Sequence, residues 1–220
     1  MKSITISKKG TRSEFNEDAM LALPNKGVFL VSDGVGGGPS GHEASRSTVQ
    51  SLYDALSVSN ISEKIIVDGI SFANKAVLEK SKVGDNKGMA CTLVLAWIEG
   101  DILTCFNIGD SRIYRVRQGE IQQLTTDQVK QVERNNRVKS LVTNAIGIKE
   151  KVTPEITQFD WLEGDIVLLM SDGISDVVAD TEMCEFLSRT GISMLDRAKA
   201  LIGASVTNGS EDDKTLVIAF

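Results

Sequence analysis

Two stretches of the chain are built alike: VFLVSDG, ending at Gly34, and IVLLMSDG, ending at Gly173. Each is an unbroken apolar run of strand length, the pattern of a strand covered on both faces. Each then delivers an aspartate at its end, followed by glycine. Taken singly, Asp-Gly is a turn signal. The pair says more. A carboxylate at the end of a core strand loses part of its water and needs a proton, a cation or hydrogen-bond donors. If the two strand ends share a face, Asp33 and Asp172 converge on one point, and the glycine after each lets backbone come close to a ligand.

The rest of the pattern surrounds these strands with hairpins. Strands are expected over 2–7, 19–23 and 27–32. Helical spacing follows over 41–56 and again over 62–80, the second capped by Ser62. Strands are then expected over 90–97, 102–107, 112–117 and 120–124, with Gln118-Gly119 as a hairpin turn. Residues 127–137 are polar and read as a short helix or loop. Strands over 152–159 and 165–170, a helix over 192–205 and a strand over 216–220 close the chain. Antiparallel hairpins with grouped helices indicate an α+β layered fold, one domain over 1–220.

Bulk properties narrow the function. With 41% hydrophobic and 25% charged residues, the chain has the composition of a soluble globular protein. A net charge of −6 offers no basic excess for a nucleic-acid backbone. It leaves a phosphorylated substrate open, because bound cations reverse the local sign of an acidic cleft. Cys91, Cys105 and Cys184 are scattered and form no CxxC, which fits neither a disulfide framework nor a zinc site. No signal peptide or membrane span is visible, so a cytoplasmic protein is expected.

Further acids lie at strand junctions. Glu17 and Asp18 precede a strand, Asp110 sits between two, Asp176 follows Asp172 by one helical turn, and Glu211, Asp212 and Asp213 precede the last strand. So many acids repel one another unless cations neutralise them, and all-oxygen ligands select Mg²⁺ or Mn²⁺. A two-metal site of this kind activates water and clamps a phosphoryl group, the chemistry of a phosphohydrolase.

In order along the chain, the segments GTRSEFNEDAM, VFLVSDGVGGGPSGHEAS, MACTLVLAWIEGD, CFNIGDSRIYRVRQGEIQQLTTDQ, TNAIGI, GDIVLLMSDGISDVV and EDDKTLVIAF resemble the metal-dependent protein Ser/Thr phosphatases of type 2C, in their short bacterial form. The resemblance implies a central antiparallel β-sandwich flanked by helix pairs, in four αββα layers, with two Mn²⁺ or Mg²⁺ ions in a cleft at one end. It implies that Asp33 bridges the metals and the Gly34 carbonyl binds one of them, that Asp172 and Asp212 complete the neighbouring metal, and that Glu17 and Asp18 hold metal-bound water or ligate from behind. Asp110 and Asp176 match positions linked to a third, weaker metal, and Arg12 the arginine that grips phosphoryl oxygens. The implied reaction is in-line attack on phosphorus by water activated between the metals, with no phospho-enzyme. The implied partner is a phosphorylated protein, with a Ser/Thr kinase as counterpart; nucleic acid and membrane are not expected, and the protein is expected to be a monomer.

The chain departs from the family pattern at several places. Val35 stands where some members carry a histidine, Gly38 replaces a histidine in the glycine loop, Cys91 a threonine, Gln128 a histidine and Asp213 an asparagine. The stretch 127–141 is a shortened form of the flap that shapes substrate choice. It reads either as a solvated polar segment or as a reduced phosphopeptide-recruiting element. His42, the one histidine, reads as a surface or packing residue, and Cys91 and Cys105 as inert core thiols. Two other functions stay open at this point: a catalytically silent binding module, and a two-metal hydrolase of small phosphate esters.

Overall fold

A computed structural model describes residues 1–35, 40–57, 60–134 and 137–220, with the side chains of 134 and 137–139 excepted. Residues 36–39 of the glycine loop, Gly38 among them, lie outside the described residues. Twelve strands and five helices are described: β1 Ser3–Lys8, β2 Asp18–Leu23, β3 Val28–Asp33, α1 Gly41–Leu56, α2 Glu63–Lys80, β4 Leu93–Glu99, β5 Ile102–Ile108, β6 Arg112–Arg117, β7 Glu120–Gln123, β8 Val129–Arg134, β9 Arg137–Val142, β10 Glu155–Asp160, β11 Ile166–Met170, α3 Asp172–Ser175, α4 Asp180–Ser188, α5 Met194–Thr207 and β12 Lys214–Ala219.

Two antiparallel five-stranded sheets face each other, in the orders β1-β12-β11-β6-β7 and β10-β5-β4-β3-β2. The two apolar runs explain how they stack. Successive side chains of a strand point to opposite faces. In β3, Phe29 and Val31 enter the layer between the sheets, while Val28 and Leu30 pack outward against α1 and α2 through Leu52, Leu56, Ile66 and Ile70. In β11, Val167 and Leu169 enter the same central layer, while Leu168 and Met170 face α4 and α5 through Leu187 and Leu201. Both runs are therefore apolar at every position because each strand is covered twice. The four αββα layers follow, as expected.

Local chemistry sets the element ends. Ser62 caps α2 by accepting from the Ile65 amide, and Ser193 caps α5 through the Asp196 amide. Gln118 and Gly119 both take positive φ, 52° and 81°, the two-residue turn that suits a hairpin. Tyr53 and Phe72, counted in the apolar stripes of the first two helices, lie exposed instead. Cys91 and Cys105 are buried, and burial pushes their thiols up to about 11 and about 12, which leaves them inert.

The stretch after Asp127 departs from expectation. The polar stretch after Asp127 is neither helix nor loop but a two-stranded hairpin, β8 paired with β9, with Val129 opposite Val142 and Arg134 opposite Arg137. It belongs to neither large sheet. A lone exposed hairpin has no core face, so it lacks the alternation that marks a strand in sequence.

Candidate active site

The ends of β3 and β11 meet across the sandwich. Val31 and Leu169 pack in one central layer, and their strands deliver Asp33 and Asp172 close enough for the two carboxyl groups to hydrogen-bond. They floor a cleft of about 800 Å³. Gly34, Asp212 and Arg12 line it beside them, and Asp110 and Asp176 form part of its wall. Ser140, Leu141 and Val142 of β9 complete the wall on the hairpin side. Glu17 and Asp18 are not at the cleft surface. Asp18 stands behind Asp33, its register partner in the β2–β3 ladder.

Each acid is held by its neighbours. The Asp33 amide donates to Thr92 Oγ1 at 3.0 Å, and the Thr92 amide donates to the Asp33 carbonyl at 2.8 Å. Thr92 Oγ1 is in turn 2.7 Å from Ser111 Oγ. Only glycine fits beside it at 109, where a Cβ would lie 2.7 Å from the Thr92 methyl. Ser171 Oγ donates to Asp18 Oδ2 at 2.7 Å and accepts from the Thr215 amide at 3.0 Å. This stitches β2, β11 and β12 together one residue before Asp172. Both glycines of the Asp-Gly pairs are places of close approach. A Cβ on Gly34 would lie 2.7 Å from the Gly41 Cα, and one on Gly173 would lie 1.9 Å from the Asp213 carbonyl oxygen.

The charges are unbalanced. Burial, then the charges of Asp18, Asp172 and Asp212, push Asp33 well above the usual carboxylate range. Burial pushes Asp18 up to about 7 despite the Ser171 and Thr215 hydrogen bonds. Burial and the charges of Asp212, Asp110 and Asp176 bring Asp172 to about 7. Asp18 Oδ1 and Asp172 Oδ1 are buried with no hydrogen-bond partner. Glu17, whose Oε1 lies against Gly41, is also raised, by burial and by Asp213.

These observations fit hard cations. Orphaned buried carboxylate oxygens, repelling acids and an all-oxygen donor set are what Mg²⁺ or Mn²⁺ relieves. The side chains as they stand are not yet closed on an ion. Among the described residues no three His, Cys, Asp or Glu side chains are arranged to hold one, and Asp212 is turned into an ion pair with the half-exposed guanidinium of Arg12.

Sequence reasoning missed a second cluster. The Arg112 guanidinium donates from Nε and Nη2 to the Asp127 carboxylate at 2.7–3.0 Å, from Nη1 to the Ser175 carbonyl at 2.7 Å and from Nη2 to Asp176 at 3.1 Å. It joins the entry of β8 to the end of α3. The motif IGDSR contained Arg112, but nothing in its spacing pointed to Asp127. Gln128, in place of a histidine, is a tie as well: its Oε1 accepts from the Gly109 amide and Asn144 Nδ2, both at 3.0 Å. His42 stacks on Phe15 with ring centroids 4.7 Å apart, a packing role.

The family model described as Protein phosphatase 2C matches residues 8–204. Among curated proteins, the chain is 29% identical over 232 aligned residues to the serine/threonine phosphatase stp of Listeria monocytogenes, covering 96% of this chain and 92% of that protein. Among solved structures, PppA of Pseudomonas aeruginosa is 28% identical with a TM-score of 0.87, covering 99% of this chain and 96% of that one. The serine/threonine phosphatase PstP of Mycobacterium tuberculosis is 26% identical with a TM-score of 0.85, covering 99% and 97%.

Proposed function

The chain belongs to the protein phosphatase 2C family and is a protein serine/threonine phosphatase, and we propose that it hydrolyses phosphoserine and phosphothreonine with water activated by two Mn²⁺ or Mg²⁺ ions. The family is metal-dependent; the ligand set is our assignment. Asp33, the Gly34 carbonyl, Asp172 and Asp212 would hold the ions, and Glu17 and Asp18 would support the set from behind. The observation that carries this reading is the meeting of Asp33 and Asp172 at one cleft floor, with an orphaned oxygen on Asp172.

When bound, the cations lower the pKa of water from 15.7 towards about 7 and neutralise the phosphoryl charge. The chain's own residues do the rest. Thr92 fixes the Asp33 backbone, and Ser171 fixes Asp18 beneath it. Arg12, at the cleft mouth, forks onto phosphoryl oxygens once it leaves Asp212. Asp110 and Asp176 would hold a third, weaker ion. Among the described residues of the cleft no side chain is an evident acid for the leaving oxygen, and a water held there would supply that proton.

Residues 1–220 act as one catalytic domain with the β8–β9 hairpin as its reduced flap; that Leu141 and Val142 line the cleft supports a role in substrate choice. The substrate is a phosphorylated protein, a Ser/Thr kinase is the counterpart, and the protein works as a monomer in the cytoplasm. No helix among the described residues is long and apolar enough to cross a membrane.

The test is Asp172→Ala, assayed for phosphate release from a phosphothreonine peptide at saturating Mn²⁺. Turnover disappears while the circular dichroism spectrum stays native. Wild-type rates in that variant sink the site assignment.

A further inference from the structure

Residues 10–17, GTRSEFNE, form a loop that carries Arg12 out to the cleft mouth and returns to the sheet at Glu17. Its two ends are fastened by one side chain. The Gly10 amide donates to Asp213 Oδ1 at 2.7 Å, and the Glu17 amide donates to Asp213 Oδ2 at 2.6 Å. The carboxylate is almost fully buried. Beside it, the Glu211 carbonyl accepts from the amides of Thr11 and Arg12 at 2.7 and 3.2 Å. Gly10 fits there only without a side chain, since a Cβ would lie 2.2 Å from the Glu211 carbonyl oxygen.

The Asp213 backbone is packed closely in turn. Its carbonyl oxygen lies so near Gly173 that no Cβ fits there, and its amide donates to Asp212 Oδ1 at 3.0 Å. One residue therefore ties the Arg12 loop to the turn that carries Asp172 and to the acid that pairs with Arg12. We infer that Asp213 is the positioning residue of the phosphate-gripping loop: its two carboxylate oxygens clip both ends of residues 10–17, so that Arg12 meets the phosphoryl group already placed.

The chemistry of the position is specific. A carboxylate offers two acceptors to two backbone donors, each a charge-assisted bond. An amide offers one acceptor, and its NH₂ would face the second N–H donor to donor. The asparagine that the family resemblance places here can hold one end of this loop but not both. Asp213 thus does not add a free negative charge beside Asp212: both its oxygens are engaged by backbone donors. The inference rests on the reading of Arg12 as the phosphate-gripping residue, and the experiment separates the two.

Asp213→Asn, Arg12→Ala and the double variant are compared on a phosphothreonine peptide at saturating Mn²⁺, and hydrogen exchange is followed over residues 10–17. Asp213→Asn is expected to raise KM about tenfold with kcat within about twofold of wild type, and to lose protection at Gly10 and Glu17. In the Arg12→Ala background the same substitution is expected to raise KM no further, because the two act as one unit. Additive effects on KM overturn the inference, as does unchanged exchange in Asp213→Asn. A KM defect that vanishes on raising Mn²⁺ makes Asp213 an accessory of the metals and overturns it too. If Arg12→Ala alone leaves KM unchanged, the phosphate role of Arg12 falls; lost protection in Asp213→Asn then still supports the clip. Asp213→Ser, which keeps a single acceptor, is the second variant if Asp213→Asn folds poorly, with the same outcomes expected.

Discussion

Asp18 and Asp33 stand directly opposite each other in the β2–β3 ladder, Asp18 buried behind and Asp33 at the cleft floor. Like charges opposite one another in a ladder are destabilising. Here a third acid, Asp172, meets them from the facing sheet. The protein tolerates this cost at the place where cations would remove it.

A charge-removing variant should therefore act in opposite directions on stability and activity. Asp33→Asn is expected to raise the melting temperature measured in EDTA, because it removes repulsion without changing shape. At saturating Mn²⁺ it should lower kcat at least about a thousandfold. Thermal scans and phosphate-release assays on the same preparation check both signs, and a lower melting temperature in EDTA would argue against the repulsion account.

Stability without metal should fall as pH rises. The folded-state pKa values of Asp18 and Asp172 are raised to about 7, above the unfolded value of about 3.9. The folded state keeps protons that the unfolded state has released. Their contribution is fully present below about pH 4 and lost as pH rises through about 7. Asp160 and Asp165 shift the other way, through Arg117, and their contribution is lost only as pH falls through their lowered values, outside this window. In EDTA the melting temperature is expected to drop by on the order of 5 °C between pH 5.5 and pH 8, and Mn²⁺ should restore it at pH 8. A flat or rising profile counts against the raised carboxylates.

Much of this fold could be read from the chain because its core strands are covered on both faces. The β3 and β11 runs, the Ser62 cap and the Gln118-Gly119 turn each carry a local signal that tertiary structure did not override. Elements with little burial were harder. Helix α4 buries only Met183 and Leu187, and the β8–β9 hairpin has no core face at all. Its Asn135-Asn136 dipeptide, between two short runs containing valine, was the available turn signal. In the site, Asp33, Asp172 and Asp212 lay at recognisable strand ends. Arg112–Asp127 and the Asp213 clip were not legible, because they depend on which distant backbone a side chain reaches.

Arg112 offers a test of that hidden layer. Arg112→Lys keeps the charge but loses the fork on Asp127 and the contact with the Ser175 carbonyl. The expected cost is on the order of 2 kcal/mol, since both partners are about four-fifths buried. Urea denaturation reads the cost, and hydrogen exchange should rise across 129–142. An unchanged denaturation midpoint would show that the clasp contributes nothing to stability.

Two glycines should respond oppositely to alanine. Gly173→Ala places a Cβ 1.9 Å from the Asp213 carbonyl oxygen, so it should destabilise by about 2 kcal/mol or more and reduce turnover by moving Asp172. Gly203→Ala, inside α5 with nothing within 4 Å of the new Cβ, should stabilise by about 0.5–1 kcal/mol with activity unchanged. Chemical denaturation of both variants decides the matter.

The most direct measurement is anomalous scattering at the manganese edge from crystals soaked in Mn²⁺. The account predicts two strong peaks in the cleft, both against Asp33, one of them shared with Asp172 and Asp212, and Arg12 released from its pair with Asp212. A cleft that takes up no manganese beside Asp33 would contradict it.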